Sequence, residues 1–310
     1  MADSKEMTGK KFFSVTMLNA GITLVEAIGG IFSGSLSLVS DAFHNLGDTF
    51  SIVISYIAHR ISQRDEDERN TFGYGRAQIL AAMLNALLLI VLSVFLVVEA
   101  AKRLSHPETI NGELMMVVAV IGLAANLASA ILMHRGAKHN MNMKATYLHL
   151  LSDTLSSVGV IFGALMIQWY NVTMIDPIIT IIVAIYITFE SWPIVRNSIT
   201  ILMQGAPQMD YDAIKADLMS IDGITNVHHI HIWMIDENRI MFSAHINMRD
   251  MLLSEAEPIY RQIERLLATK YGICHVTLQA EDVRGRDEDM ILNEDLEQQL
   301  KTRQQGNSKE

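Results

Sequence analysis

Two short stretches repeat one pattern, His-x-Leu-x-Asp-Thr-x-Ser: HNLGDTFS at His44–Ser51 and HLLSDTLS at His149–Ser156. Residues four apart share a helix face, so His44 and Asp48 point one way, and so do His149 and Asp153. Both copies lie inside long apolar runs, where an Asp at the centre of a span costs about 2.5–3.5 kcal/mol. Such groups face a bundle interior and have partners. One reading is that each His hydrogen-bonds its own Asp and serves packing alone. The other is that two imidazoles and two carboxylates form one four-coordinate set, which suits Zn2+. Imidazole nitrogen argues against Mg2+ and Ca2+, and the lack of thiolates argues against Cu(I).

The elements that must position these residues are legible in the apolar runs. Of 310 residues half are hydrophobic, and these collect in the first two thirds of the chain. Runs of about twenty apolar residues are long enough to cross a bilayer. Six are read, over roughly 12–32, 36–59, 78–101, 113–133, 145–169 and 175–203. The first lacks a signal-peptide cleavage site and more spans follow it, so it is retained. Lys5, Lys10 and Lys11, then Arg60, Arg64, Arg69 and Arg76, then Arg135, Lys138 and Lys144 lie on one side. Lys102 and Arg103 are the main basic residues on the other. That bias places both termini in the cytoplasm. Cys274 is the only cysteine, which excludes an intrachain disulfide and a Cys-rich metal site.

Four parts follow: a cytoplasmic arm 1–11, a six-helix membrane bundle 12–203, a soluble α+β domain 204–282 and a charged tail 283–310, expected to be a short exposed helix or disordered. The composition changes after Gln204-Gly205-Ala206-Pro207, and the remainder holds most of the net charge of −10. Helical periodicity over 210–221 is followed by strand alternation over 226–235 and 239–248, with a turn at Asp236–Asn238. An amphipathic helix over 254–270 has Ser254 as its expected N-cap and Gly272 past its end. A third strand, 274–281, completes an αββαβ order. Alternation would put His229 and His231 on the face opposite His228. They read as metal-binding or as structural residues packed with Trp233. The nineteen Met residues read as flexible core filler. No nucleotide loop, nucleophile elbow or open hydrolytic zinc site is present, so an enzyme is not expected, nor is a nucleic-acid partner.

With these residues in view the sequence resembles the cation diffusion facilitator family, in its zinc-transporting branch. The likeness covers about 12–282 and rests on GSLSLVSDAFHNLGD at 34–48, TFGYGRAQILAAMLNA at 71–86, HLLSDTLSSVGV at 149–160, Asp176-Pro177 and VHHIHIW at 227–233. The resemblance implies a homodimer in the cytoplasmic membrane that exports a divalent metal in exchange for protons. It also implies that the soluble domain has a metallochaperone-like fold. Carried over by position, His44, Asp48, His149 and Asp153 are the transport site. His228, His245 and Glu281 are the soluble domain's metal ligands, holding a regulatory Zn2+. A His rather than an Asp at position 44 resembles the zinc-selective members.

Asp41, one turn before His44, orients a ligand or lines a polar path, or makes a structural hydrogen bond. Asn45 could orient a ligand, whereas Asn19, Glu26, Asn85 and Asn126 read as interhelical hydrogen-bonding residues. Three departures from the family pattern stand out. Asn70 and Tyr74 occupy the places of loop histidines that flank Phe-Gly in relatives, so no tight site is expected among Asp65–Glu68. His134 and His139 are too few for a His-rich loop. Gln279 also replaces a His, so one zinc per soluble domain is expected rather than two. The alternatives to a Zn2+/H+ antiporter are an exporter of mainly Co2+, Cd2+ or Fe2+, or a membrane-anchored metal sensor.

Overall fold

The computed structural model describes residues 2–137 and 141–286. The side chains of the amino-terminal arm, Lys138, His139 and the tail beyond 286 lie outside the described residues. The chain divides into two compact units, one of 1–64 with 80–198 and one of 65–79 with the chain from 199 onward.

The first unit is made of long helices: α1 (Ala2–Ser33), α2 (Leu36–Ser62), α3 (Arg76–Ser105), α4 (Gly112–Ala137), α5 (Met141–Tyr170) and α6 (Ile175–Leu202). Each lies within a few residues of an expected run, except that α1 begins ten residues earlier. Among the described residues, five of them, all but α2, are long and apolar enough to cross a membrane. Helix α2 carries Asp41, Asp48 and Arg60 along its length. Large apolar side chains such as Phe32, Leu155 and Phe189 face outward, as lipid contact requires. Helices α1, α2, α4 and α5 pack against one another, and α2 meets α5.

The start of α2 is fixed from a distance. Gly34, at φ +77°, turns the chain between α1 and α2. The first N–H groups of a helix have no intrahelical acceptor and form its positive end. Here the fully buried carboxylate of Asp176, in the first turn of α6, receives them. Leu36 N donates to Oδ2 at 2.7 Å and Ser37 N to Oδ1 at 3.1 Å. The hydroxyls of Ser35 and Ser37 each donate to Oδ1 at 2.6 Å. Asp176 therefore sets the position of the helix that carries His44 and Asp48.

The second unit has α7 (Tyr211–Met219), β1 (Ile224–Asp236), β2 (Arg239–Met248), α8 (Leu253–Tyr271) and β3 (Ile273–Glu281). The sheet order is β1-β2-β3, with β1 antiparallel and β3 parallel to β2. A parallel neighbour needs a crossover, which α8 supplies. Phe242, Ala244, Ile246 and Met248 alternate inward along β2 against Ile214, Leu218, Ile263 and Leu267 of the two helices. The opposite face bears Ser243, His245 and Asn247, and among the described residues α7 and α8 both pack on the Phe242 side. Gly272 ends α8 in the left-handed region at φ +69°, as expected. Ser254 does not start it, because Leu252 holds the N-cap position and its N–H donates to Glu255 Oε2 at 3.0 Å. Glutamate at that spacing satisfies a free amide as well as a serine would.

Replacing Asp176 with Ala removes an acceptor shared by two amides and two hydroxyls in an apolar setting. A loss of about 2–4 kcal/mol is expected, with a smaller loss for Asn. Thermal unfolding of the detergent-solubilised protein measures it, and an unchanged midpoint would mean that α2 is held by other contacts.

Candidate metal centres

His44, Asp48, His149 and Asp153 come together between α2 and α5, and the closest approaches are crossed. His149 Nε2 lies 3.0 Å from Asp48 Oδ2, and His44 Nε2 lies 3.5 Å from Asp153 Oδ1. Within each helix the separations are longer, 3.8 Å for His44–Asp48 and 3.8 Å for His149–Asp153. Each imidazole thus faces the carboxylate of the other helix more closely than its own. The packing-only reading, in which each His serves its own Asp, does not describe this geometry. The ring centroids of His44 and His149 are 5.7 Å apart at 61°. Ligand atoms of His44, Asp48 and His149 lie within 4.8 Å of one another. Zinc bonds of about 2.0–2.2 Å to nitrogen and oxygen put tetrahedral ligands roughly 3.3–3.6 Å apart, within the spread seen here. Oδ2 of the buried Asp153 accepts no hydrogen bond. The donor set therefore fits a small divalent cation.

The polar neighbours have their own partners. Asp41 Oδ1 accepts from Ser156 Oγ of α5 at 2.9 Å, a structural bond between the two helices that carry the ligands. Asn45 Nδ2 donates to Glu26 Oε2 of α1 at 2.8 Å rather than to any of the four ligands. Glu26 is 1 % exposed. Gly122 of α4 is what admits it, since a Cβ there would come to 2.5 Å from Glu26 Oε1. Sequence reasoning placed Glu26 and Asn45 inside spans without pairing them. It also gave Asp176 no role; an acid in the first turn of an apolar helix was the available signal.

The second cluster lies on the face of the sheet opposite α7 and α8. Register pairs Asn226 with Asn247 and His228 with His245 across β1 and β2. It pairs Asn247 with Glu281 and His245 with Gln279 across β2 and β3. Cross-strand partners share a face, so two rows form, Asn226–Asn247–Glu281 and His228–His245–Gln279. Glu281 Oε2 is 3.3 Å from His228 Nε2 and its Oε1 is 3.3 Å from His245 Nδ1. Ligand atoms of the three residues lie within 4.8 Å of one another, as those of His44, Asp48 and His149 do in the membrane set; Asp153 stands outside that triad and reaches it through His44 and His149. Two imidazoles and a carboxylate at these spacings fit a zinc ion with a fourth position open. Gln279 Nε2 donates to Glu281 Oε1 at 2.7 Å, so the residue standing in for a His orients the carboxylate instead.

One expectation for β1 is corrected. The strand begins at Ile224, two residues before the expected 226, and His228 lies inside it. His231 pairs with Ser243, three residues on from His228 against two on β2, so β1 is bulged at His229 and Ile230. His229 sits in the left-handed region at φ +52°. The bulge resets the alternation. His231 therefore shares the face of His228, and His229 stacks on His245 with centroids 4.6 Å apart.

In the 65–79 segment the positions of the missing loop histidines bind a carboxylate. Tyr74 Oη donates to Asp67 Oδ2 at 2.6 Å, and Asn70 N donates to Oδ1 at 2.7 Å. The tyrosine hydroxyl, then the backbone amides of Asn70 and Arg69, hold the Asp67 carboxyl below the ordinary range. Phe72 packs edge-on to Trp233, with centroids 6.4 Å apart at 87°.

A family model for the cation efflux transmembrane domain matches residues 12–203. The chain belongs to the cation diffusion facilitator family. A second model, for the cytoplasmic domain of cation efflux proteins, matches residues 206–283 of this facilitator. The facilitator is 38% identical over 285 residues to the zinc transporter ZitB of Escherichia coli, covering 91% of this chain and 89% of that protein. It is 37% identical over 292 residues to a cadmium, cobalt and zinc/H(+)-K(+) antiporter of Bacillus subtilis, covering 93% and 94%. With the metal cation efflux system protein CzcD of Cupriavidus metallidurans it shares 34% over 265 residues, covering 85% and 84%.

Removing the amide of Asn45 with Ala leaves the Glu26 carboxyl buried without its donor. This is expected to cost about 2–3 kcal/mol in thermal unfolding. Replacing both residues with Leu is expected to be near neutral, because neither partner is then left unmet. A double variant as unstable as the single would show that the pair does more than satisfy itself.

Proposed function

We propose that this facilitator is a Zn2+/H+ antiporter that moves zinc out of the cytoplasm by alternating access, with His44, Asp48, His149 and Asp153 as the transport site. The observation that carries the reading is the crossed pairing of imidazoles and carboxylates between α2 and α5. A site made half by each helix opens or closes when the helices shift against each other, which a site within one helix cannot do. Zinc requires neutral His and ionised Asp, so metal and protons compete for the same atoms. His is the ligand whose ordinary pKa lies near physiological pH. Metal entering from the cytoplasm displaces protons, and protons entering from outside release the metal. The relatives' names, which include zinc transport and proton antiport, support both halves of the cycle.

In this reading α2 is the sixth span, both termini are cytoplasmic, and the protein is a homodimer in the cytoplasmic membrane. The αββαβ domain is metallochaperone-like. The fully buried Asp176 cap and the inward ligands explain how α2 tolerates its charges in the bilayer. The cadmium and cobalt in the Bacillus subtilis relative's name make those ions the competing cargo. The deciding experiment is flux into proteoliposomes under an imposed pH gradient, with Zn2+, Cd2+, Co2+ and Fe2+ in turn. Zinc flux driven by the gradient is expected to be the fastest. Alanine at Asp48 or Asp153 should reduce it by more than the roughly 10- to 100-fold typical of losing a residue that only orients a ligand, while the protein stays folded. Near-normal flux in either variant would remove the site.

The soluble domain reads as the regulatory part. Zinc held by His228, His245 and Glu281 neutralises acidic charge and stabilises whichever arrangement of the two domains binds it best. Label-to-label distances between the domains of a dimer should shorten on adding Zn2+, and His245→Ala should abolish the change. A zinc-independent distance would leave this domain as a constitutive dimer contact.

A further inference from the structure

Just beyond Glu281 the chain does not leave the sheet. It turns back over it, and two buried asparagines hold it there. Asn247 is 0 % exposed. Its Nδ2 donates to Asp282 O at 3.1 Å and to Arg284 O at 2.7 Å. Asn226, opposite Asn247 on β1, donates from Nδ2 to Arg286 O at 3.0 Å. The turn so held lays Gly285 on the ring of His228. Gly285 has φ +69°, and a Cβ on it would overlap Nε2 and Cε1 of His228 and stand 3.0 Å from Cδ2. Nε2 is the nitrogen that faces Glu281 Oε2 at 3.3 Å, so the turn covers the side of the ring where a metal ion would be bound.

We propose that residues 282–286 form a strap that closes the cytoplasmic metal site, with Asn247 and Asn226 as its positioning residues and Gly285 bearing on His228. The inference rests on the reading of His228, His245 and Glu281 as ligands. A ligand and its cover are consecutive in the chain. Asn247, in register with Glu281, fixes the backbone directly after that ligand and so fixes the direction from which the carboxylate approaches. Outer partners that orient a ligand typically change metal affinity 10- to 100-fold. The strap also keeps water from one side of the ion, so zinc leaves only when the strap lifts. A residue larger than glycine at 285 must either displace His228 or hold the strap open. The same hydrogen bonds could serve only to end the domain tidily, and the two cases differ in what they do to metal exchange.

The test uses the full chain carrying Asp48→Ala and Asp153→Ala, which leaves the cytoplasmic site as the remaining zinc population. The protein is loaded with Zn2+ and mixed with excess chelator, and release is followed by stopped flow. Thermal midpoints are recorded without metal. Asn247→Ala and Gly285→Ala are expected to release zinc about 10- to 100-fold faster than the parent, from sites of unchanged stoichiometry. Release at the parental rate from Gly285→Ala protein that melts like the parent overturns the strap. So does an Asn247→Ala variant that loses apo stability but holds zinc as long as before. Should Asn247→Ala not fold, Gly285→Ala decides alone. His245→Ala in the same background separates the two readings. If it leaves the zinc content intact, the ligand assignment fails. If it empties the site while the strap variants release zinc at the parental rate, only the strap fails.

Discussion

A carboxylate inside an apolar bundle is tolerated only if something donates to it, and much of this molecule follows from that constraint. Asp176 takes two amides and two hydroxyls from the start of α2. Glu26 takes the amide of Asn45, and Asp41 takes the hydroxyl of Ser156. Each bond joins different helices. The acids that cost most to bury are therefore also the residues that fix helix against helix. What is left is the set proposed as the transport site. There the donors are imidazoles, which can give up a proton, and one oxygen of Asp153 accepts nothing. Acids with permanent donors build the frame, and the acids with exchangeable donors are those assigned above to metal and protons.

The contrast bears on how such a bundle can move. The amides and hydroxyls that donate to Asp176, Glu26 and Asp41 do not themselves titrate near neutral pH, whereas imidazole does. The Asp176 cap can hold the amino-terminal end of α2 while the middle of the helix changes its relation to α5. The crossed His–Asp pairs sit where the two helices meet. A change of occupant there, from one divalent ion to protons, alters the attraction between the helices directly.

The soluble domain solves a different problem with a related device. A three-stranded sheet with helices on one face leaves the other face without a core. In this protein that face carries the polar rows of Asn226, Asn247 and Glu281 and of His228, His245 and Gln279. Segments of the same unit lie over it, Phe72 against Trp233 in one region and Gly285 against His228 in another. The bulge at His229 and Ile230 brings His231 to that face and stacks His229 on His245. A non-glycine residue at positive φ costs on the order of 1–3 kcal/mol, and here it concentrates histidine around one cluster.

The sequence by itself determined what depends on local backbone geometry. Apolar run length located the helices. A spacing of four put each His and Asp pair on one face, and period-two alternation along β2 put His245 and Asn247 opposite Phe242 and Ala244. The order of elements in the soluble domain followed from the same two periods and from Gly272. Only the tertiary structure decided which Asp each His faces, because that is set by how α2 meets α5, more than one hundred residues apart in the chain. The same holds for Asp176 at the start of α2 and for Asn247 clasping the turn after Glu281. The phase of β1 was lost for another reason. The pattern His228-His229-Ile230-His231 carries no glycine to mark a bulge, so regular alternation was the natural expectation. The left-handed histidine stacks on the ring of His245, a contact between strands that the local pattern does not encode.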